Sequence, residues 1–556
     1  MSAQPAHSAR MLLGGLGIVA CGVVVAFVTD VALSQLSLAK VCFLLGGVAL
    51  LLPTLALKDA KAFWLFLLVL SMPFDISKWL SAGVVDPQSL VDEYGMPASG
   101  TVSIELYVTD VILLLMLLPW LIRACVRREA LYFPRVGYIY LFYLCWALLV
   151  SIVNAESFYL SLVELFREVL YFLSFVYLIN NVRTPPQLRT VIAAVFLGLI
   201  IGAGSVIAFF EMGIGTDYIA FASLRDQSHA SDAPKPGQSS KSVQNLTVST
   251  AEPGLASQFR GHSGERKRSQ GMFRHPAVAA SLCGLSLPLV LAYLVTARTT
   301  RDRLFFGFVY VWGIAGLVLT FSRAGLLGFI VGTLTFIAVG SWSGLIPRRA
   351  LTVAALVVAG AAVLSIPFLV SYFTNRTQSY DMRFDLFWAA LQGYAQHPLL
   401  GVGLNNSTAA MREGKQVLRD LLGVKIPATE STDSHYLALF VELGPLGFAA
   451  FFLFFGKIVV FALRAMRRVE KDMKVLLVGI VVGMASLAAQ DLADDAFAPH
   501  AISALVWLFA ALVIVIARGT APSSDAVHAG RPFVDQRKAS DYIHTVPNLP
   551  DAARHT

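Results

Sequence analysis

Of 556 residues, 56% are hydrophobic and 14% are charged, where a soluble globular protein carries about a quarter charged residues. A soluble fold is therefore excluded, and the net charge of +8 is not read as nucleic-acid binding, because excess Lys and Arg in a membrane protein first report topology. The five cysteines, Cys21, Cys42, Cys125, Cys145 and Cys283, are scattered and support neither a disulfide framework nor a zinc site.

Apolar runs that approach or meet the length needed to cross about 30 Å of hydrocarbon recur along the chain. Fourteen spans are expected, near 11–29, 37–57, 62–80, 105–122, 136–153, 159–180, 190–210, 276–296, 304–321, 324–341, 350–371, 436–463, 474–489 and 500–517. The first is read as a retained helix, since no A-x-A cleavage site follows it. The third is short and broken at Pro73. No internal repeat stands out.

Short loops fix the orientation. One set holds Lys58 and Lys61, Arg123 to Arg135, Arg183 and Arg189, Arg298 to Arg303, Arg348 and Arg349, and Arg464 to Lys474. The alternate loops, near Asn154–Glu156 and Gln490–Pro499, hold no Lys or Arg. The positive-inside rule then puts both termini in the cytoplasm and leaves 72–104, 211–275 and 372–435 outside. The expected organisation is N-terminal membrane helices over 1–210, a partly disordered periplasmic loop over 211–275 and further membrane helices over 276–371. A periplasmic catalytic loop over 372–435, C-terminal membrane helices over 436–517 and a disordered cytoplasmic tail over 518–556 complete it. Within the first loop, 226–267 is rich in Ser, Gly, Pro and charge and has little to bury. Its Asn245-Leu-Thr sequon is a weak match and is assigned no role.

The polar segment from about Tyr372 to Ala450 is where chemistry is expected. Arg268 and Arg274 flank "SQGMF" ahead of the span near Pro276, Arg323 is wedged between two spans, Arg383 begins an aromatic-rich stretch, and His435 precedes a long apolar helix. Under the derived topology all of them lie near the outer boundary. A cluster of guanidinium groups there suits a diphosphate headgroup, which it binds through paired, charge-assisted hydrogen bonds. Each residue also has a plainer reading. Arg268 follows a basic run, Arg274 reads as a headgroup or loop contact, and Arg383 could snorkel from an interfacial helix. His435 could bond backbone or a headgroup. Arg323 is harder to set aside, because an ionisable group between apolar spans is costly unless paired or facing a polar cavity. Arg167, with Glu164 and Glu168 inside the sixth span, reads as an intrahelical pair or as a lining residue of a lipid-headgroup cavity. Asp491, Asp494 and Asp495 could bind a cation or counter the arginines, but they read first as a solvated outer loop, and their spacing fits no specific metal motif well.

Four stretches resemble the O-antigen ligase and polymerase superfamily, the Wzy-C-like proteins: "RSQGMFRHP" (268–276), "TFSRAG" (320–325), "RFDLFWAALQGYAQHPLLGVG" (383–403) and "SHYLALFVELGPLG" (434–447). The resemblance implies an all-α polytopic membrane protein, GT-C-like, with a large periplasmic loop carrying short helices. It implies an inverting, metal-independent glycosyltransferase without a cofactor in the bacterial inner membrane. The donor would be a glycan on undecaprenyl diphosphate at the periplasmic face. The acceptor would be another lipid-linked repeat, lipid A core or protein. Arg323 and Arg383 would then grip the diphosphate, with Arg268 as a third donor and Arg167 lining the same headgroup cavity. His435 would activate or position the acceptor hydroxyl.

One departure matters. The family pattern places its His eleven residues before the first Gly of GxxG, and here that position is Asp433, two residues before His435. Both stay candidates, although a carboxylate of unperturbed pKa near 4 is a weak base. This departure, the extra spans and the 226–267 insert favour a polymerase of O-antigen or exopolysaccharide repeats over a lipid A ligase. A transporter or flippase of lipid-linked glycans is the reading from another class. It expects ionisable groups near the midplane, whereas most of them here lie toward the outer boundary. Expected partners are the carrier-linked donor, a glycan or lipid acceptor, the bilayer and other polysaccharide-assembly proteins, and no nucleic acid.

Overall fold

The computed structural model describes residues 60–74, 77–79, 105–212, 269–346, 377–422 and 434–519. The expected spans at 11–29, 37–57 and 350–371, the 226–267 insert and nearly all of the tail lie outside them. The helices are α1 (Ala60–Ser71), α2 (Val108–Arg127), α3 (Arg135–Asn154), α4 (Phe158–Asn181), α5 (Pro185–Glu211), α6 (Pro276–Thr296) and α7 (Thr300–Leu319). They continue with α8 (Arg323–Trp342), α9 (Thr377–Tyr394), α10 (Ser407–Leu422), α11 (His435–Met466), α12 (Lys471–Gln490) and α13 (His500–Gly519). Nine of these described helices are long and apolar enough to cross a membrane, so the protein is an all-α polytopic membrane protein. Among the described residues the β structure is one two-stranded antiparallel ladder, β1 (Ser77–Trp79) with β2 (Glu105–Tyr107).

Two expected spans have a different extent or character. The helix near 62–80 stops at Ser71 and turns at Met72 and Pro73, because Pro73 has no N–H to continue the ladder. α4 has 24 residues, but Glu164, Arg167 and Glu168 interrupt its apolar face.

Consecutive membrane helices run up and down, and hydrogen bonds between their ends identify which ends meet. Ser434 Oγ donates to the Asp491 carbonyl at the α12 terminus, 3.1 Å. Gln490 Nε2 donates to the Ala277 carbonyl, 3.2 Å, and to Ser281 Oγ, 2.8 Å, near the start of α6. Ser269 donates N–H to the Leu319 carbonyl at the end of α7, 3.2 Å, and Oγ–H to Val206 near the end of α5, 2.7 Å. One end of the bundle thus gathers the starts of α6, α11 and α13 with the ends of α5, α7 and α12. The opposite end carries the basic loops. There Arg298 meets Asp472 at 3.9 Å, Lys474 Nζ donates to Ser343 and Arg467 lies over the Trp342 ring.

α13 is the most enclosed helix, with nearly every side chain from His500 to Ile516 buried. Its Trp507 meets Tyr140 of α3, Phe172 and Phe175 of α4, and Phe454 of α11, with centroids 4.5–6.2 Å apart. α6, α8 and α12 pack through small residues. A Cβ on Gly483 would stand 2.3 Å from the Leu285 carbonyl, and one on Gly328 2.6 Å from that of Ser486. Such close backbone approach gives dispersion contact where lipid offers no hydrophobic drive.

Candidate active site at one end of the bundle

The two motifs "HPLLGVGLNN" and "VELGPLG" form one structural unit, and Pro445 is the reason. Pro445 has no N–H for the Val441 carbonyl, and Gly444 leaves the helix at φ 64°, ψ −172°. The kink frees three carbonyls that a regular helix would have used. Val402 N–H takes Val441 at 3.1 Å and Gly403 N–H takes Glu442 at 2.9 Å. Trp146 Nε1 takes Leu443 at 2.9 Å. The Glu442 carboxylate accepts the Ser407 N–H at 3.2 Å. Asn406 then ties the segment to the start of α4. Its amide accepts Ser157 N–H at 2.9 Å and donates to Ser161 Oγ at 2.8 Å, and the Leu404 carbonyl accepts the Ser161 hydroxyl at 2.6 Å. The polar segment is thereby held against the bundle end by backbone groups that burial would otherwise leave unsatisfied.

His435 opens α11 at this end, with Tyr436 Oη donating to Ala488 at 2.7 Å. The His435 ring stacks against Phe497, 5.4 Å between centroids, and lies 5.8 Å from Phe451. Its Nδ1 faces Asp495 Oδ1 at 3.5 Å, an ion-pair separation, and the two side chains are 18% and 41% exposed. The expectation of a solvated acidic loop is corrected here. Asp491 is fully buried, and its Oδ1 accepts the N–H groups of Ala496 and Phe497 at 2.9 and 3.0 Å. Burial pushes the Asp491 carboxyl up to about 7, against the lowering influence of His435. The loop between α12 and α13 is therefore folded by one carboxylate and presents another to His435.

A second group of polar residues meets around Tyr107, at the junction of β2 and α2. Arg167 of α4 and Arg274 of the segment before α6 approach its ring at 5.9 and 5.8 Å from the centroid. His500, the first residue of α13, stacks on the same ring at 3.7 Å and 7° from parallel. Tyr171 Oη lies 2.9 Å from His500 Nδ1, and Asp110 Oδ1 lies 3.8 Å from Nε2. Arg167 also keeps the intrahelical pair with Glu164, at 3.3 Å. Glu168, one residue on, accepts the Tyr140 hydroxyl and interacts electrostatically with His435. Two guanidinium groups and one imidazole thus share the same region of the bundle. Among the described residues no group of three or more His, Cys, Asp or Glu is placed to hold a metal ion.

Of the residues singled out in the sequence, His435 and Arg167 are placed as above. Arg323 begins α8, half-buried after the Ser322 N-cap, whose Oγ accepts the Gly325 N–H at 3.1 Å. It is at the same bundle end, because Gly328 one turn on faces Gln490. Arg383 falls on α9, and its side chain is outside the described part. Arg268 and Asp433 lie outside the described residues. Arg274 meets the Tyr107 ring and Asp495 faces His435, and Tyr107, Asp110 and His500 were not among the residues singled out in the sequence. The available signal was an ionisable residue at the edge of an apolar run, as in "YVTDVILLL" and "APHAISALV".

A comparison with curated proteins finds no matching relative. A family model, Wzy_C, described as O-Antigen ligase, matches residues 308–452. This stretch holds α8, α9, α10, the clasped segment and the kinked half of α11, and excludes "RSQGMFRHP". The likeness of this chain to the O-antigen ligase/polymerase superfamily therefore rests on residues 308–452.

Proposed function

We propose that the chain joins carrier-linked glycan repeats, taking a glycan from undecaprenyl diphosphate at the periplasmic face of the bacterial inner membrane and passing it to a second lipid-linked repeat. The observation that carries this reading is the approach of Arg167 and Arg274 to one ring, Tyr107, in the bundle that also presents His435. Guanidinium groups held in place stabilise the charge that develops on a departing diphosphate. Arg323, Arg383 and Arg268 join them in this reading. The leaving group is already good, so the reaction asks for no metal.

The acceptor hydroxyl attacks the anomeric carbon in line. The new C–O bond forms as the bond to the diphosphate oxygen breaks, and that oxygen keeps the electron pair. The hydroxyl proton passes to His435, with Asp433 as the alternative base. A single displacement of this kind inverts the anomeric centre. The distribution of Lys and Arg supports a cytoplasmic basic end and a periplasmic site. The description of the matched family favours a second reading, transfer to lipid A core.

Cells lacking the chain separate these readings. Single repeats accumulating on the carrier, with long chains missing, support the polymerase. Long chains stranded on the carrier beside bare lipid A core make it a ligase. Unchanged glycan pools overturn both. Arg383→Ala should abolish transfer with the protein still folded in the membrane, and normal product from that variant removes Arg383 from the mechanism.

A further inference from the structure

The loop between α12 and α13 enters no part of the reaction so far, yet its geometry is specific. Asp491 uses one carboxylate oxygen to hold two successive N–H groups, Ala496 and Phe497. That turn fixes Asp495 beside His435 Nδ1 and sets Phe497 against the imidazole face. Asp494 caps the same turn, its Oδ1 accepting the Asp495 N–H at 3.1 Å. On the other side, Ser434 and Tyr436 tie the start of α11 to the end of α12. The imidazole is thus constrained by a ring on one face, a carboxylate at one nitrogen and a side-chain hydroxyl tie from each neighbour to α12.

We propose that Asp495 is the positioning residue for His435: it engages Nδ1, fixes the ring orientation and tautomer, and leaves Nε2 to receive the proton of the acceptor hydroxyl. A neutral imidazole has one donor and one acceptor nitrogen, and the partner of one decides the role of the other. A carboxylate at Nδ1 holds the proton there and makes Nε2 the acceptor. When Nε2 takes the hydroxyl proton, the same carboxylate faces the imidazolium that forms. Asp495 itself neither gains nor loses a proton. Its side chain is more exposed than that of His435, which suits a support at the rim and not a group in the reacting line. The charged groups around the imidazole are Asp495 and Asp491 from the loop and Glu168 from α4. Asp495 is the one in ion-pair contact with it.

This role depends on His435 being the base of the proposed reaction, and a double-mutant cycle separates the two. Full-length protein in lipid is assayed for initial rate with the carrier-linked glycan extracted from cells lacking the chain. His435→Gln should lose activity, and Asp495→Asn should lower kcat about 10²-fold with KM for the donor unchanged. In the His435→Gln background, Asp495→Asn should add nothing, since a residue acting only through His435 has nothing left to act on. Asp495→Glu should restore part of the rate. An Asp495→Asn variant with wild-type kcat, or an additional loss of similar size in the double variant, overturns the positioning role while leaving His435 as base. A fully active His435→Gln overturns both assignments and passes the base to Asp433. Thermal unfolding of each purified variant identifies any loss that comes from the fold, and an Asp495→Asn effect explained by unfolding counts against the proposal.

Discussion

Val402 donates its backbone N–H to the Val441 carbonyl at 3.1 Å, the partner that Pro445 cannot supply. The kink of α11 and the clasp of the loop segment are therefore one event, and Gly444 is its pivot. A Cβ at Gly444 would stand 2.2 Å from the Leu399 carbonyl, on a backbone at φ +64°. Gly444→Ala should cost about 1–3 kcal/mol from the backbone conformation alone and abolish transfer. Gly456, on the same helix, has nothing within 4 Å of its added Cβ. Gly456→Ala should leave activity intact and raise stability by up to about 1 kcal/mol. Thermal unfolding in detergent with parallel transfer assays checks the pair, and equal tolerance at both positions would contradict the pivot.

Asn406 makes a second prediction. Its side chain accepts Ser157 N–H and donates to Ser157, Ser161 and Leu404 at 2.8–3.3 Å while almost wholly buried. Asn406→Ala leaves the Ser157 N–H without its acceptor, while Ser161 still bonds the Leu404 and Ser157 carbonyls, a loss of about 1–3 kcal/mol for the one unsatisfied group. Limited proteolysis should then cut between His397 and Asn406, where the native protein resists. Continued resistance would show that the backbone clasp on α11 suffices without Asn406.

The Asp491 carboxyl gives stability a pH dependence. Burial raises it from 3.8 to about 7, so between those values the folded protein holds a proton that the unfolded chain has released. Its favourable contribution is complete below about pH 3.8 and is lost as pH rises through about 7. The melting temperature of the native protein should carry this downward component between about pH 4 and 7. Asp491→Asn keeps an oxygen for Ala496 and Phe497 and should remove the component. An identical pH dependence in both proteins would show that Asp491 does not titrate in this range.

The bundle was legible because its signals are local. Apolar runs fixed the membrane helices, and "ELGPLG" carried both the glycine and the proline that break α11. The burial of Asp491 is not legible because it lies beside Asp494 and Asp495 in the sequence, as in a solvated run, and its partners are Ser434 at the start of α11 and the N–H groups of its own folded loop. That Arg167 and Arg274 meet Tyr107 and His500 could not be read for the same reason. The four residues sit on four separate elements, and none has a sequence neighbour that announces the contact.

Arg274 shows what that contact adds. The segment that carries it is anchored to two helix ends, through Ser269 to Leu319 and Val206 and through the Met272 N–H to Ser205 Oγ at 3.2 Å. Gly271 adopts φ +59° with Ser205 and Val206 against it, so the chain turns tightly and delivers Arg274 to the Tyr107 ring that Arg167 also approaches. A guanidinium held this way is already oriented when charge develops on a diphosphate. Removal of one such fixed donor lowers a rate by about 10²–10³-fold. Arg274→Ala should fall in that range with its melting temperature unchanged. Arg274→Lys keeps the charge but not the planar fork and should recover part of the rate. Initial rates with the carrier-linked donor measure both, and full activity of Arg274→Ala would reduce Arg274 to a contact of the loop with the aromatic ring.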